Sequence, residues 1–279
     1  MKRREFVQTL GGVAAGAALG QRVGFPMRKL DRVGLELYAV RHAMQKDPER
    51  TLAAVAAMGY KDVELLWSFG NFGRTTAQVK QALANTGLRA PSAHIDPISL
   101  FIGWERSLDT AKAIGHDYLI VPSFTGATSQ TLDDWREWAD RFNAAGAVAR
   151  RHDIWLGFHN EADHMPLIDG QVPYDVFVQR LDPSVTRLQL DVGNMLIGGG
   201  DPMAYLEKYK DRYWSFHLKD VLPDRKGDTY LGAGIFDFKR FLAAVPNLDQ
   251  KPAYVEHESP ADELDAARRN IGYLKNLDF

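Results

Sequence analysis

The sequence predicts a single α/β domain, a closed (β/α)8 barrel over residues 28–279. Three observations carry that prediction. Eight short apolar runs alternate with eight amphipathic stretches, with no long linker between them. The pairs occupy about 250 residues, the size such a barrel takes. The runs are apolar on both faces, as strands packed inside and covered by helices must be. An open doubly wound sheet would carry a glycine-rich turn after the first strand, and Leu37-Tyr38-Ala39-Val40-Arg41-His42 has no glycine.

The strands are expected at Val33–Ala39, Asp62–Leu66, Arg89–His94, Tyr118–Pro122, Ile154–His159, Arg187–Asp191, Trp214–His217 and Ala253–Glu256. The helices are expected at Pro48–Met58, Thr76–Thr86, Trp104–Ile114, Leu132–Arg151, Tyr174–Leu181, Pro202–Tyr209, Phe238–Val245 and Ala261–Leu274. Thr131-Leu132-Asp133-Asp134 gives one helix an acidic first turn, and Asp201-Pro202 sets a cap before a proline at the first helical position. Gly59 and Gly87 stand where a left-handed terminating residue is wanted. Pro223–Tyr230 reads as a polar loop.

Chemistry in such barrels sits at the C-terminal ends of the strands, so the residue on which each strand ends is informative. In order the ends are Tyr38 or Arg41, Glu64 with Trp67, His94 with Asp96, Pro122-Ser123, His159-Asn160-Glu161, Asp191 with Asn194, His217 with Lys219, and Glu256 with His257 and Glu258. Asp191, His217 and Glu256 close three consecutive strands, at spacings of 26 and 39 residues. Neighbouring strands lie about 4.8 Å apart, so the three side chains can converge on one ion. Alone, Asp191 could fix a turn, His217 could be a hydrogen-bonded core histidine, and Glu256 could be a solvated strand end. Together, two carboxylates and an imidazole suit one divalent cation such as Mn, Co, Mg or Zn. Strand five is expected to add a fourth ligand, from His159 or Glu161.

These stretches resemble the xylose isomerase-like sugar isomerase/epimerase superfamily of TIM barrels, in particular exported bacterial members of the sugar phosphate isomerase/epimerase group. The resemblance rests on Gly34-Leu35-Glu36-Leu37-Tyr38 with Arg41, Tyr60-Lys61-Asp62-Val63-Glu64, Ser92-Ala93-His94, Gly157-Phe158-His159-Asn160, Asp191-Val192-Gly193-Asn194, His217-Leu218-Lys219-Asp220, Gly232-Ala233-Gly234 with Phe236-Asp237-Phe238, and Val255-Glu256. It implies metal ligation by Asp191, His217, Glu256 and an acidic residue of strand five. The sequence departs from the epimerase pattern there, because His159 holds the position that keeps the spacing and Glu161 follows two residues later.

The expected chemistry is proton abstraction beside a sugar carbonyl, through an enediolate, in an isomerase/epimerase. Glu161 or Glu256 is the expected carboxylate base, His94 a second proton-transfer group, and Lys219 an oxyanion or hydroxyl partner. Glu64, Asn160, Arg41 and Trp67 are the expected substrate contacts. The same proton abstraction can end in β-elimination, which makes a metal-dependent 3-keto-glycoside lyase the alternative. A non-catalytic exported sugar-binding protein is the alternative of another class. A DNA-repair endonuclease of this fold would need a trinuclear zinc site and a basic groove, which 8 histidines and a formal net charge of −2 do not suggest.

A small carbohydrate is the partner the resemblance implies, and a formal net charge of −2 gives no basic field for nucleic acid or an anionic membrane. The chain is 45% hydrophobic and 25% charged, and it contains no cysteine, which excludes disulfides and thiolate chemistry. Residues 1–20 resemble a twin-arginine export signal, with Lys2-Arg3-Arg4-Glu5-Phe6 followed by a glycine-broken apolar stretch from Val7 to Gly20. That segment is too short and glycine-rich for a comfortable membrane span. A periplasmic or exported location is the expectation. The sequence does not settle the oligomeric state.

Overall fold

The computed structural model describes residues 28–124 and 128–279, so the export signal expected at residues 1–20 lies outside the described residues. Eight parallel strands close into a barrel: β1 (Gly34–Glu36), β2 (Asp62–Leu66), β3 (Arg89–His94), β4 (Tyr118–Val121), β5 (Trp155–His159), β6 (Thr186–Asp191), β7 (Tyr213–Leu218) and, after a short hairpin, β10 (Ala253–Val255). The hairpin, β8 (Asp220–Val221) with β9 (Asp228–Thr229), is antiparallel, and its second strand lies within Pro223–Tyr230, the segment expected as a polar loop. The ring closes through β1 and β10, where Gly34 pairs with Tyr254 and Leu35 with Val255.

The helices are α1 (Arg41–Lys46), α2 (Pro48–Met58), α3 (Thr76–Thr86), α4 (Trp104–Ile114), α5 (Leu132–Arg151), α6 (Pro173–Arg180), α7 (Val192–Ile197), α8 (Pro202–Tyr209), α9 (Phe238–Ala244) and α10 (Glu263–Asn276), and all but α1 and α7 follow from caps and apolar spacing. Thr131 and Asp134 form a reciprocal capping box on α5, and Asp201 accepts from the backbone of Met203 and Ala204 before α8. Gly59 ends α2 in the left-handed region at φ 103°. None of the described helices is long and apolar enough to cross a membrane.

Two local readings are corrected. β1 stops at Glu36 and Leu37–Val40 coils into a 3-10 turn, because the ladder to β10 reaches only Leu35 and leaves later residues without a partner on that side. The short helices α1 and α7 carry no long apolar period and were not expected; α7 starts because Asp191 accepts the Asn194 backbone N–H at 2.9 Å.

The barrel interior changes character along its axis. At the N-terminal end the Arg187 guanidinium lies 3.6 Å from the Trp155 ring and 4.3 Å from Trp214, with Arg150 3.8 Å from Trp155. Higher up, Tyr254 crosses the interior over Gly34, where an added Cβ would stand 2.3 Å from the Tyr254 ring. The outward faces of the strands carry the apolar core, with Leu35, Val63, Leu119, Phe158, Leu190 and Phe216 all buried against the helices.

Two buried histidines outside the strand-end cluster make stability pH-dependent. His116 donates through Nδ1–H to the Ala90 carbonyl, 2.6 Å away, and burial pushes its pKa down to about 4. His164 accepts the Glu161 backbone N–H at 2.9 Å, and burial pushes it down to about 3. Both folded values lie below the ordinary 6.5, so the unfolded chain binds more protons in that window and stability falls as pH drops from 6.5 toward 4. For His116 the loss is on the order of 3 kcal/mol. Urea midpoints measured from pH 7 to pH 4 should decline, and the decline should be shallower in His116→Gln.

Candidate active site at the C-terminal mouth of the barrel

The site grows from side chains that point inward at alternate strand positions. Glu64, completely buried on β2, sits lowest. It accepts from Ser92 Oγ at 2.5 Å and from Gln189 Nε2 at 3.0 Å, and lies 2.5 Å from His217 Nε2 and 3.1 Å from His94 Nε2. Ser92 in turn lies 2.7 Å from the Tyr254 hydroxyl. Burial raises the Glu64 pKa, but His94 and His217 overcome it and hold the carboxyl well below the usual range. Burial likewise opposes charge on His94, and Glu64 overrides it, bringing His94 up to about 9.

Above this layer stand the strand-end groups. His217 Nδ1 is 2.6 Å from Glu256 Oε2. His159 Nδ1 is 3.0 Å from Gln189 Oε1, and its Nε2 faces Asp191 Oδ2 at 3.7 Å and Glu161 Oε1 at 3.8 Å. One donor atom from each of His159, Asp191, His217 and Glu256 lies within 4.8 Å of the others. His94, His159 and His217 form a second such group.

The donors also fit an ion chemically. Asp191 spends Oδ1 on the α7 cap, while Oδ2 is buried, faces the cluster and is met only by the Lys219 ammonium at 2.9 Å. The turn-forming role and the ligand role of Asp191 are thus served by different oxygens. Burial dominates at His159 and holds its pKa well below the ordinary value, leaving a neutral imidazole with a lone pair to give. Both His217 nitrogens meet carboxylates, which hold its pKa well above the ordinary value; an ion would take Nδ1 from Glu256, with Glu64 on Nε2 left to orient the ring.

Lys219 ties the upper carboxylates together. Its Nζ lies 2.9 Å from Asp191 Oδ2, 3.1 Å from Glu256 Oε1 and 3.1 Å from Asn194 Oδ1, and it also pairs with Glu258. Burial opposes the charge, and Asp191, Glu256 and Glu258 outweigh it, so the ammonium is retained. Its stem passes over Gly193, where an added Cβ would stand 2.6 Å from it. Glu161 is held by Asn194 Nδ2 at 2.7 Å, and burial pushes its pKa up to about 8.

An open cavity of about 340 Å³ lies over these groups, walled by Tyr38, Leu66, Ser68, Phe69 and Pro122 and floored by Glu36, His94, His159, Glu161, Glu256 and Glu258. His94, Glu161 and Glu256, expected to act in catalysis, border it, and Lys219 lies behind them. The four expected substrate contacts are placed elsewhere. Glu64 is beneath the histidines. Asn160, one residue after His159, points outward by the strand pleat and exchanges hydrogen bonds with the Asp191 backbone at 2.9 and 3.0 Å. Arg41 donates to the carbonyls of Tyr38 and Glu258 and lies over the Tyr38 ring. Trp67 packs beside His116, its ring centroid 5.7 Å away. Sequence reasoning missed Ser92, Gln189 and Glu36. Ser92 and Gln189 precede His94 and Asp191 by two residues, so the strand period alone could have found them.

The family described as xylose isomerase-like TIM barrel matches residues 52–277. An inosose dehydratase from Clostridium tetani is 27% identical over 201 residues, covering 63% of this chain and 64% of that protein. One from Geobacillus kaustophilus is 31% identical over 202 residues, covering 63% of each. The chain therefore spans less than two thirds of the length of these relatives. A sugar phosphate isomerase/epimerase from Parabacteroides distasonis shares the fold, with a TM-score of 0.78 at 22% identity, covering 88% of this chain and 94% of that one.

The geometry predicts one divalent ion per chain, removable by chelation and lost in Asp191→Asn. Glu64→Gln, which touches no atom of the four-donor set except through His217, should weaken the metal about 10- to 100-fold. Titration calorimetry with Mn and Zn checks both; unchanged affinity in Glu64→Gln would mean that the carboxylate does not orient His217.

Proposed function

We propose, for a chain that belongs to the xylose isomerase-like TIM barrel family, a divalent-metal-dependent enzyme that removes the proton beside the carbonyl of a carbohydrate. The observation that carries this reading is the set of four buried donors, His159, Asp191, His217 and Glu256, beneath a sugar-sized opening. A bound ion there supplies a Lewis acid that polarises the carbonyl and acidifies the adjacent C–H.

The chain's own groups do the rest. Glu161 faces the cavity as a carboxyl that keeps its proton at neutral pH, so it serves as a general acid. Glu256 is a carboxylate, since Lys219 and His217 outweigh its burial, and it is the base candidate. Lys219 and Asn194 fix the positions of both carboxyl groups. Tyr38 and Phe69 offer ring faces that exclude water from one side of the cavity.

One acid and one base suit β-elimination better than isomerisation or epimerisation. A reversal of configuration by two glutamates astride the reacting carbon would need a carboxylate where strand five places His159. The relatives named inosose dehydratase support the elimination reading. Isomerisation, the reading strongest in the sequence, shares the first proton transfer. The proposal includes export through Lys2–Gly20, which a reporter fused to residues 1–27 would test by its location.

Metal-loaded protein incubated in D₂O with inososes, 3-keto-glycosides and free ketoses should incorporate deuterium beside the carbonyl. Product mass then separates loss of water or of an alcohol from isomerisation. Glu161→Gln should lower turnover about 10²- to 10⁴-fold with its metal content unchanged. Stoichiometric metal with no exchange on any member of the panel would favour a sugar-binding protein over an enzyme.

A further inference from the structure

Glu36 ends β1 on the floor of the cavity, 2% exposed. Its Oε1 stands 3.8 Å from His94 Nδ1, beyond hydrogen-bonding distance, and its Oε2 has no hydrogen-bond partner among the described residues. The neighbouring carboxyl groups are all met. Glu64 has Ser92, Gln189 and His217; Glu256 has His217 and Lys219; Glu161 has Asn194; Glu258 has Lys219. Leaving a buried acceptor unmet costs about 1–3 kcal/mol, so such a group is satisfied by ordered water or by a ligand.

What that ligand group can be follows from the charges around it. The described residues that border the cavity include four glutamates and no lysine or arginine. The nearby cations are committed, Arg41 to two backbone carbonyls, Lys219 to three carboxylates and the His94 imidazolium to Glu64. Beyond a bound ion itself, a phosphate or carboxylate would meet carboxyl groups there without a free cation, whereas a hydroxyl would find an acceptor. Burial, then the nearby Glu256, raises the Glu36 pKa well above the usual range, so the group can donate to an oxygen as well as accept from one.

We infer that Glu36 is a specificity-determining residue that hydrogen-bonds one hydroxyl of an uncharged carbohydrate in the cavity. This rests on the proposal that a keto carbohydrate occupies that space. It adds a residue and a substrate charge class to that proposal. A site built to meet a hydroxyl rejects the analogue that lacks it, because the protein group is then left buried and unpaired.

The test is calorimetric binding to the metal-loaded protein, which needs no turnover. The probes are an inosose, its singly deoxygenated analogues and its monophosphates. One deoxy analogue should bind about 10- to 100-fold more weakly than the parent, and each monophosphate at least as weakly. Glu36→Leu should lose the same factor toward the parent and lose nothing further toward that one analogue. Glu36→Gln should retain most of the parent's affinity. The inference is overturned if the parent does not bind, if a monophosphate binds as tightly as the parent, or if no deoxy analogue is singled out. If Glu36→Leu does not fold, Glu36→Ala decides: the penalty for that one analogue should vanish in Glu36→Ala, and a penalty that persists there, or equal penalties for every analogue in the wild type, overturns the inference. Binding with this pattern but without deuterium exchange would refute the enzymatic proposal and leave the role of Glu36 standing.

Discussion

Buried at the barrel axis, the Glu64 carboxylate gathers polar groups from β3, β6 and β7, and the orientation of the strand-end cluster follows from it. An ionised carboxylate removed from water is costly unless it is paired and fully hydrogen-bonded. Here the pairing is done by groups that the chemistry needs in fixed places. The His217 ring is held between Glu64 below and Glu256 above, which leaves it little freedom to rotate. Gln189 then links Glu64 to both His94 and His159 through one amide. Ser92, on the neighbouring strand β3, and the Tyr254 hydroxyl that meets it complete the support.

The same layer explains why the interior is polar where most of the protein is apolar. The outward faces of the strands bury aliphatic and aromatic side chains against the helices, and that burial carries the stability. The inward positions are thereby released for a stacked polar network, closed beneath by the ladder of Arg150, Trp155, Arg187 and Trp214. Placing the network on strands rather than loops gives it the rigidity a preorganised site requires. Only the upper rim, with Glu161, Glu258 and the Phe69 segment, is contributed by connections.

Lys219 resolves the repulsion this architecture creates. Asp191, Glu256 and Glu258 bring three like charges together, and a single buried ammonium touches all three. Gly193 is what lets the lysine stem reach them, so an apparently passive turn residue has a direct electrostatic consequence. The proton held on Glu161 by burial then gives the rim an acid beside a base, the asymmetry on which the elimination reading depends.

The barrel was legible in the sequence because its signals are local. Strand runs, caps such as Thr131 and Asp201, and the terminating Gly59 depend on neighbours a few residues away. Asp191, His217 and Glu256 were legible as a group because a parallel barrel puts successive strand ends side by side, and the structure brings their donors together with His159. Which side chains face substrate was not legible. Glu64 and Asn160 look like rim residues in sequence, yet the pleat and the ring of inward-facing partners turn one into a buried support and the other into a backbone clasp. Glu36, unremarked among its apolar neighbours, reaches the cavity floor because β1 closes the ring against β10. Those assignments depend on contacts between residues 31 to 153 positions apart and on the closure of the ring, and only the tertiary structure decides them.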